Sequence, residues 1–252
     1  MAGEVSRRKV VAGLAALVAT GLAACRRPDR QPAALPTTPE PTTPEPVVSE
    51  TSAPPTAVPV LVVPVLCRDA WGAVAAGPAD ASHVPVRITL HHTAVVLDDN
   101  RKAPGRLRQH QRFHKDSGFS DIAYHVGVDR NGNVYELRDP QVPGQTFTDY
   151  DPSGHFLVLA EGDFDTELPS DAQLEGLAQV IAGAAHRHDI PVDTLTGHRD
   201  HADTACPGDN LYVRMSDLRT RAGQLLAEGP GLSVWCDAAA VERVAAIERG
   251  EA

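Results

Sequence analysis

The chain has 252 residues, 42% apolar and 22% charged, with a formal net charge of −10. Its length admits one large domain or two small ones. Residues 1–65 hold six Lys/Arg and five Asp/Glu; subtracting these from the totals of 23 and 33 leaves 17 against 28, a net −11 for the rest of the chain. That balance excludes a general nucleic-acid binder, because neutralising phosphates needs the opposite sign.

The first 25 residues read as an export signal. Arg7, Arg8 and Lys9 precede an apolar run from Val10 to Ala24, too short for a bilayer that needs about 20 apolar residues. The run ends Leu22-Ala23-Ala24-Cys25, which resembles a bacterial lipobox; the resemblance implies a signal peptide over 1–24, removed to leave a lipid-anchored Cys25. Ser6-Arg7-Arg8-Lys9 also resembles a twin-arginine signal, although Val10-Val11 replaces the usual bulky pair, so the export route stays open. Together these features predict an exported protein on the outer face of the membrane.

Residues 25–65 read as a disordered linker. Eleven of the 21 prolines lie in 26–65, where no glycine or aromatic residue occurs. Repeated Pro-Thr and Pro-Glu steps favour extended polyproline over packing. At ~3.1 Å per residue, such a tether reaches on the order of 120 Å. All eleven aromatics, Trp71 to Trp235, and all eleven histidines lie beyond residue 70. The core is therefore expected in a domain spanning 66–252.

Within that domain, β-branched and apolar runs at 86–90, 122–128, 134–137 and 156–160 read as strands. The middle two flank Asn131-Gly132, a hairpin signal. Helices are expected over 106–115, 170–188, 211–226 and 238–249. The second is the clearest: Ser170 caps it, Gln173 completes a capping box, and Leu174, Leu177, Ala178, Ile181, Ala182 and Ala185 line one face. Asp237 caps the last. This alternation predicts a single α/β domain, a central mixed sheet flanked by helices. In an oxidising compartment Cys67 and Cys236 are available to pair, but spacing cannot show that their Cα atoms approach.

Three segments concentrate metal-capable side chains: Leu90-His91-His92-Thr93, Asp121-Ile122-Ala123-Tyr124-His125, and Gly197-His198 through Cys206-Pro207-Gly208. Strand ends hold such groups on one rigid rim. His91, His198 and Cys206 make a set suited to a zinc ion with one open position. The interval from His198 to Cys206 is too long for one helical face, so a loop must fold back, and Pro207-Gly208 supports a turn. Taken singly, each imidazole reads equally as a packed or surface group, and Cys206 as a buried thiol.

The order and spacing of these motifs, with Gly118-Phe119-Ser120-Asp121 before Tyr124 and Cys67 to Ala73 at the start, resemble the type 2 N-acetylmuramoyl-L-alanine amidase and peptidoglycan recognition protein family over about Cys67 to Leu225. The resemblance implies that His91, His198 and Cys206 bind Zn2+, that Tyr124 is the catalytic tyrosine, and that Thr204 assists the transition state. It implies peptidoglycan as partner and hydrolysis of the amide between N-acetylmuramic acid and L-alanine. Relatives that only bind peptidoglycan give the alternative, and Cys206 argues for catalysis. A purely structural zinc would need a fourth ligand, for which Asp200 and His201 are the nearby candidates.

His92 and His125 read as solvated or packed imidazoles, with a place in the outer shell of the site or the cleft wall as the alternative, and Asp200 is expected in a charged turn. His83, His110, His114, His155, His186, His188 and His201 are expected at the surface. Phe119 stands where the family often has Trp, and Gly144 to Asp151 replaces the family's usual Ala-His segment.

Overall fold

The computed structural model describes residues 61–79 and 81–251. The export signal, Cys25 and most of the Pro/Thr-rich segment lie outside the described residues. The last part of that segment lies within them: β1 (Val62–Leu66) is a strand with Val63, Val65 and Leu66 buried. The folded domain thus includes residues read as linker. Pro64 is tolerated because β4 joins β1 only at Val65 and Leu66, so at Pro64 the ladder runs on one side.

The remaining strands are β2 (Arg87–His92), β3 (Val126–Val128), β4 (Val134–Glu136), β5 (His155–Ala160), β6 (Thr196–Gly197) and β7 (Gly231–Trp235). They form one sheet in the order β6-β2-β5-β3-β4-β1-β7. All neighbouring pairs run parallel except the β3–β4 hairpin. The expected mixed sheet is therefore present. In the hairpin, Gly132 has φ +80° and a Cβ there would lie 2.6 Å from the Ala172 carbonyl, so both the turn and the helix above it require glycine.

Among the described residues six α-helices cover both faces: α1 (Arg68–Trp71), α2 (Ala103–Asp116), α3 (Asp171–His188), α4 (Asp209–Tyr212), α5 (Met215–Ala227) and α6 (Ala238–Arg249). α3 and α5 pack over one face with Ile88, Leu90 and Val158, while α1, α2 and α6 enclose Trp71, Tyr135 and Leu159 on the other. The predicted face of α3 is buried throughout. Its capping box is half made. Ser170 Oγ accepts the Gln173 N–H at 3.0 Å, but the Gln173 amide turns inward and donates to Val128 O at 3.1 Å and Glu161 O at 3.0 Å. That bond ties the helix start to the ends of β3 and β5.

Two expectations change. The helix read over 211–226 is interrupted at residues 213–214, between α4 and α5. Tyr212 donates to Asp200 Oδ1 at 2.5 Å and lies under the Arg199 guanidinium, which holds α4 on the 198–206 loop while α5 packs on α3. The strand read over 122–128 is regular only from Val126. Arg138, 2% exposed, donates to Ile122 O at 2.7 Å and Asp121 O at 3.0 Å, taking carbonyls that a ladder would use. Cys67 and Cys236 are disulfide-bonded, with Cα atoms 5.3 Å apart.

Candidate metal centre

β2 alternates its side chains across the sheet, so the consecutive His91 and His92 take different surroundings. His91 lies opposite Leu159 of β5 and faces Tyr124, with ring centroids 5.1 Å apart. His92 lies against Phe164, and its Nδ1 accepts the Phe164 N–H at 3.3 Å. β6 pairs parallel with Thr89 and Leu90, which delivers His198 beside His91 at 4.6 Å between centroids. Asp200 secures this turn by accepting the Gly197 N–H at 2.8 Å. The chain then folds back as the spacing requires: Arg199 N–H donates to Cys206 O at 2.9 Å.

This brings the ligand atoms of His91, His198 and Cys206 within 4.8 Å of one another, all three residues buried. Cys206 Sγ lies 3.7 Å from His91 Nδ1 and accepts the His92 N–H at 3.4 Å. His198 Nε2 is hydrogen-bonded to Thr148 Oγ1 at 2.8 Å, and His91 Nε2 lies 3.5 Å from the Tyr150 hydroxyl. Among the described residues His198 Nδ1 has no hydrogen-bond partner, and His91 Nδ1 has only Cys206 Sγ.

The protonation states fit a cation site rather than a thiolate–imidazolium nucleophile. Burial drives the His91 pKa well below its usual value and lowers that of His198 to about 4, so both rings are neutral at neutral pH. Burial pushes the Cys206 thiol up to about 12. Its deprotonation therefore calls for a positive charge that neither imidazole carries, and that a divalent ion held among the three side chains would supply. Two nitrogens and one sulfur are donors that zinc accepts. Among the described residues no fourth His, Cys, Asp or Glu joins the set. Asp200 is occupied by Gly197 and Tyr212, and His201 Nε2 bonds Thr196 Oγ1 at 2.8 Å. The purely structural clip thus lacks its extra ligand.

The donors open on a cavity of about 320 Å³ whose lining includes Tyr124, Thr204, Phe119 and Phe147. The Tyr124 hydroxyl has no hydrogen-bond partner among the described residues, and burial raises its pKa, so it stays a proton donor. Thr204 Oγ1 accepts the Cys206 N–H at 3.2 Å, which leaves its own proton for a ligand.

Of the other histidines, some meet expectation and some do not. His125 takes the packed reading rather than the cleft-wall one: Nδ1 accepts the Leu157 N–H at 2.8 Å and Nε2 bonds Val142 O at 3.0 Å. His114 and His155 are buried rather than at the surface, bonded to Ala123 N and Thr89 Oγ1. His186 is exposed, while His83, His110, His188 and His201 are half-buried.

The class that fold and site define is a three-layer α/β domain with a buried His-His-Cys set, able to hold a metal ion, that opens on a cleft. The profile of the N-acetylmuramoyl-L-alanine amidase family matches residues 81–209, a range that holds His91, Tyr124, His198, Thr204 and Cys206. The chain belongs to this family. It is 35% identical over 157 residues to the N-acetylmuramoyl-L-alanine amidase of Sus scrofa, an alignment covering 58% of this chain and 25% of that protein. With Drosophila melanogaster peptidoglycan-recognition protein LB it shares 31% over 156 residues, covering 60% and 67% respectively. The solved structure of a Drosophila LB variant in complex with tracheal cytotoxin is similar at a TM-score of 0.55 and 28% identity, covering 60% of this chain and 92% of that one.

Proposed function

We propose that the domain is a zinc-dependent N-acetylmuramoyl-L-alanine amidase, which hydrolyses the amide between the lactyl carbonyl of N-acetylmuramic acid and L-alanine in peptidoglycan. The observation that carries this reading is the convergence of His91, His198 and Cys206 within 4.8 Å beside a cleft lined by Tyr124 and Thr204. His91, His198 and Cys206 would hold the ion. Zinc, when bound, polarises a carbonyl and lowers the pKa of water towards ~7.

The chain's own groups do the rest. Tyr124 donates from its protonated hydroxyl to the attacking water or to the oxygen that gains charge. Thr204, with one lone pair engaged by the Cys206 N–H, directs its proton to the same tetrahedral species. Phe119 and Phe147, stacked at 4.6 Å, form an apolar stretch of the groove wall. The similarity to an LB variant in complex with tracheal cytotoxin supports a peptidoglycan ligand here.

The proposal extends to place. A lipid on Cys25 and the Pro/Thr-rich tether would hold the enzyme on the outer face of the membrane and raise its local concentration at the wall. Incubating the purified protein with peptidoglycan, with and without chelator, and counting new L-alanine amines tests the activity. Chelator-sensitive release is expected; binding without release from any wall type makes the domain a recognition module.

A further inference from the structure

The segment Gly144–Asp151, which departs from the family's Ala-His pattern, reaches the back of both imidazoles. It is anchored at its start. A Cβ on Gly144 would lie 2.7 Å from Ala123 O, so only glycine passes there, and Gln145 N–H donates to the same carbonyl at 3.2 Å. Gln145 Oε1 accepts from Arg138 Nη2 at 2.7 Å and from Ser120 N at 3.0 Å. From this anchor Thr148 places Oγ1 2.8 Å from His198 Nε2. Thr146 Oγ1 lies 2.8 Å from Thr148 Oγ1 and accepts the Thr148 N–H at 3.2 Å. Tyr150 then brings its hydroxyl to 3.5 Å from His91 Nε2, with its ring 5.1 Å from that of His198.

A hydroxyl can donate to an imidazole or accept from it, so a lone threonine would not choose a tautomer. In the arrangement that serves a metal ligand, Thr148 donates its proton to Thr146 Oγ1 and keeps a lone pair for the His198 Nε2–H, from which Thr146 Oγ1 itself lies 3.5 Å. With its proton held on Nε2, His198 keeps the Nδ1 lone pair for an ion. We propose that Thr148, oriented by Thr146, is a positioning residue that fixes the metal-competent tautomer and ring angle of His198, with Tyr150 backing His91 from the same segment. This rests on the zinc reading above.

The test measures zinc affinity of the metal-free, full-length protein by competition with a chromophoric chelator. Thr148→Val keeps the shape and removes the hydroxyl; it is expected to weaken zinc about 10- to 100-fold, the usual effect of losing a partner of a ligating imidazole, while Thr148→Ser stays within about threefold of wild type. Metal-free melting temperatures should agree within about 2 °C across the set, which separates positioning from folding. Thr146→Val, with Thr148 intact, weakens zinc in the same sense and stands in if Thr148→Val fails to fold. Wild-type affinity in the valine variants, or a serine variant as weak as Thr148→Val, overturns the inference and leaves the amidase reading standing. A wild-type protein that binds no zinc overturns both.

Discussion

Thr204 Oγ1 accepts the backbone N–H of Cys206 at 3.2 Å, so the residue that lines the cleft is oriented by the residue that completes the donor set. Its hydroxyl proton is left to serve a developing oxyanion. Thr204→Val should lower kcat about 10²-fold with zinc affinity kept, the usual effect of deleting one oxyanion donor. Thr204→Ser should restore most of the rate. A valine variant that turns over as fast as wild type removes Thr204 from the mechanism.

Tyr124 makes a sharper case because no described residue competes for its hydroxyl. Its ring is fixed between His91 and His114, at 5.1 and 5.9 Å between centroids. Tyr124→Phe should keep those contacts, the fold and the metal, yet lose about 10²-fold or more in turnover. His198→Ala should abolish both zinc binding and turnover. Comparing kcat and bound zinc in the two variants separates a donor from a ligand.

What the sequence made legible follows from range. α3, α6 and the Asn131-Gly132 hairpin were readable because caps, turn residues and the 3.6-residue period are local. The donor set was readable because its three motifs keep order and spacing along the chain. β1 was hidden, since its Pro64 continues the proline pattern of the preceding segment and its strand character comes from β7 and β4 on either side. The irregular backbone at 122–125 was hidden too, because it depends on Arg138 capturing carbonyls sixteen or more residues away. Thr148 and Tyr150 act on imidazoles fifty or more residues distant. The only signal for them was the departure of Gly144–Asp151 from the family pattern.

The buried imidazoles predict an acid limit on stability. Burial lowers the His125 pKa from 6.5 to about 3 and those of His114 and His155 to about 4. These folded values lie below the unfolded one, so between pH 6.5 and roughly 3 the unfolded chain binds more protons. Stability is therefore complete above pH 6.5 and falls as pH drops through that window. Urea midpoints of the metal-free protein should be clearly lower at pH 5 than at pH 7. Equal midpoints would show that these rings titrate normally.

The Cys67–Cys236 bridge closes a span of 169 residues, joining the end of β1 to the start of α6, where Asp237 caps by accepting the Ala240 N–H at 3.0 Å. Cys67 N–H also donates to Trp235 O at 3.0 Å, so the contact already exists in backbone form and the bridge adds chiefly a restraint on the unfolded chain. In the chain-entropy description a loop of that length corresponds to about 5 kcal/mol, with engineered cases commonly lower. The double variant Cys67→Ser with Cys236→Ser should unfold at markedly lower denaturant while still binding zinc, because no donor at the centre is touched. Thiol labelling of the unreduced, denatured protein should modify Cys206 and neither Cys67 nor Cys236. Labelling of either partner without reductant, or a double variant as stable as wild type, would remove the bridge from the account of stability.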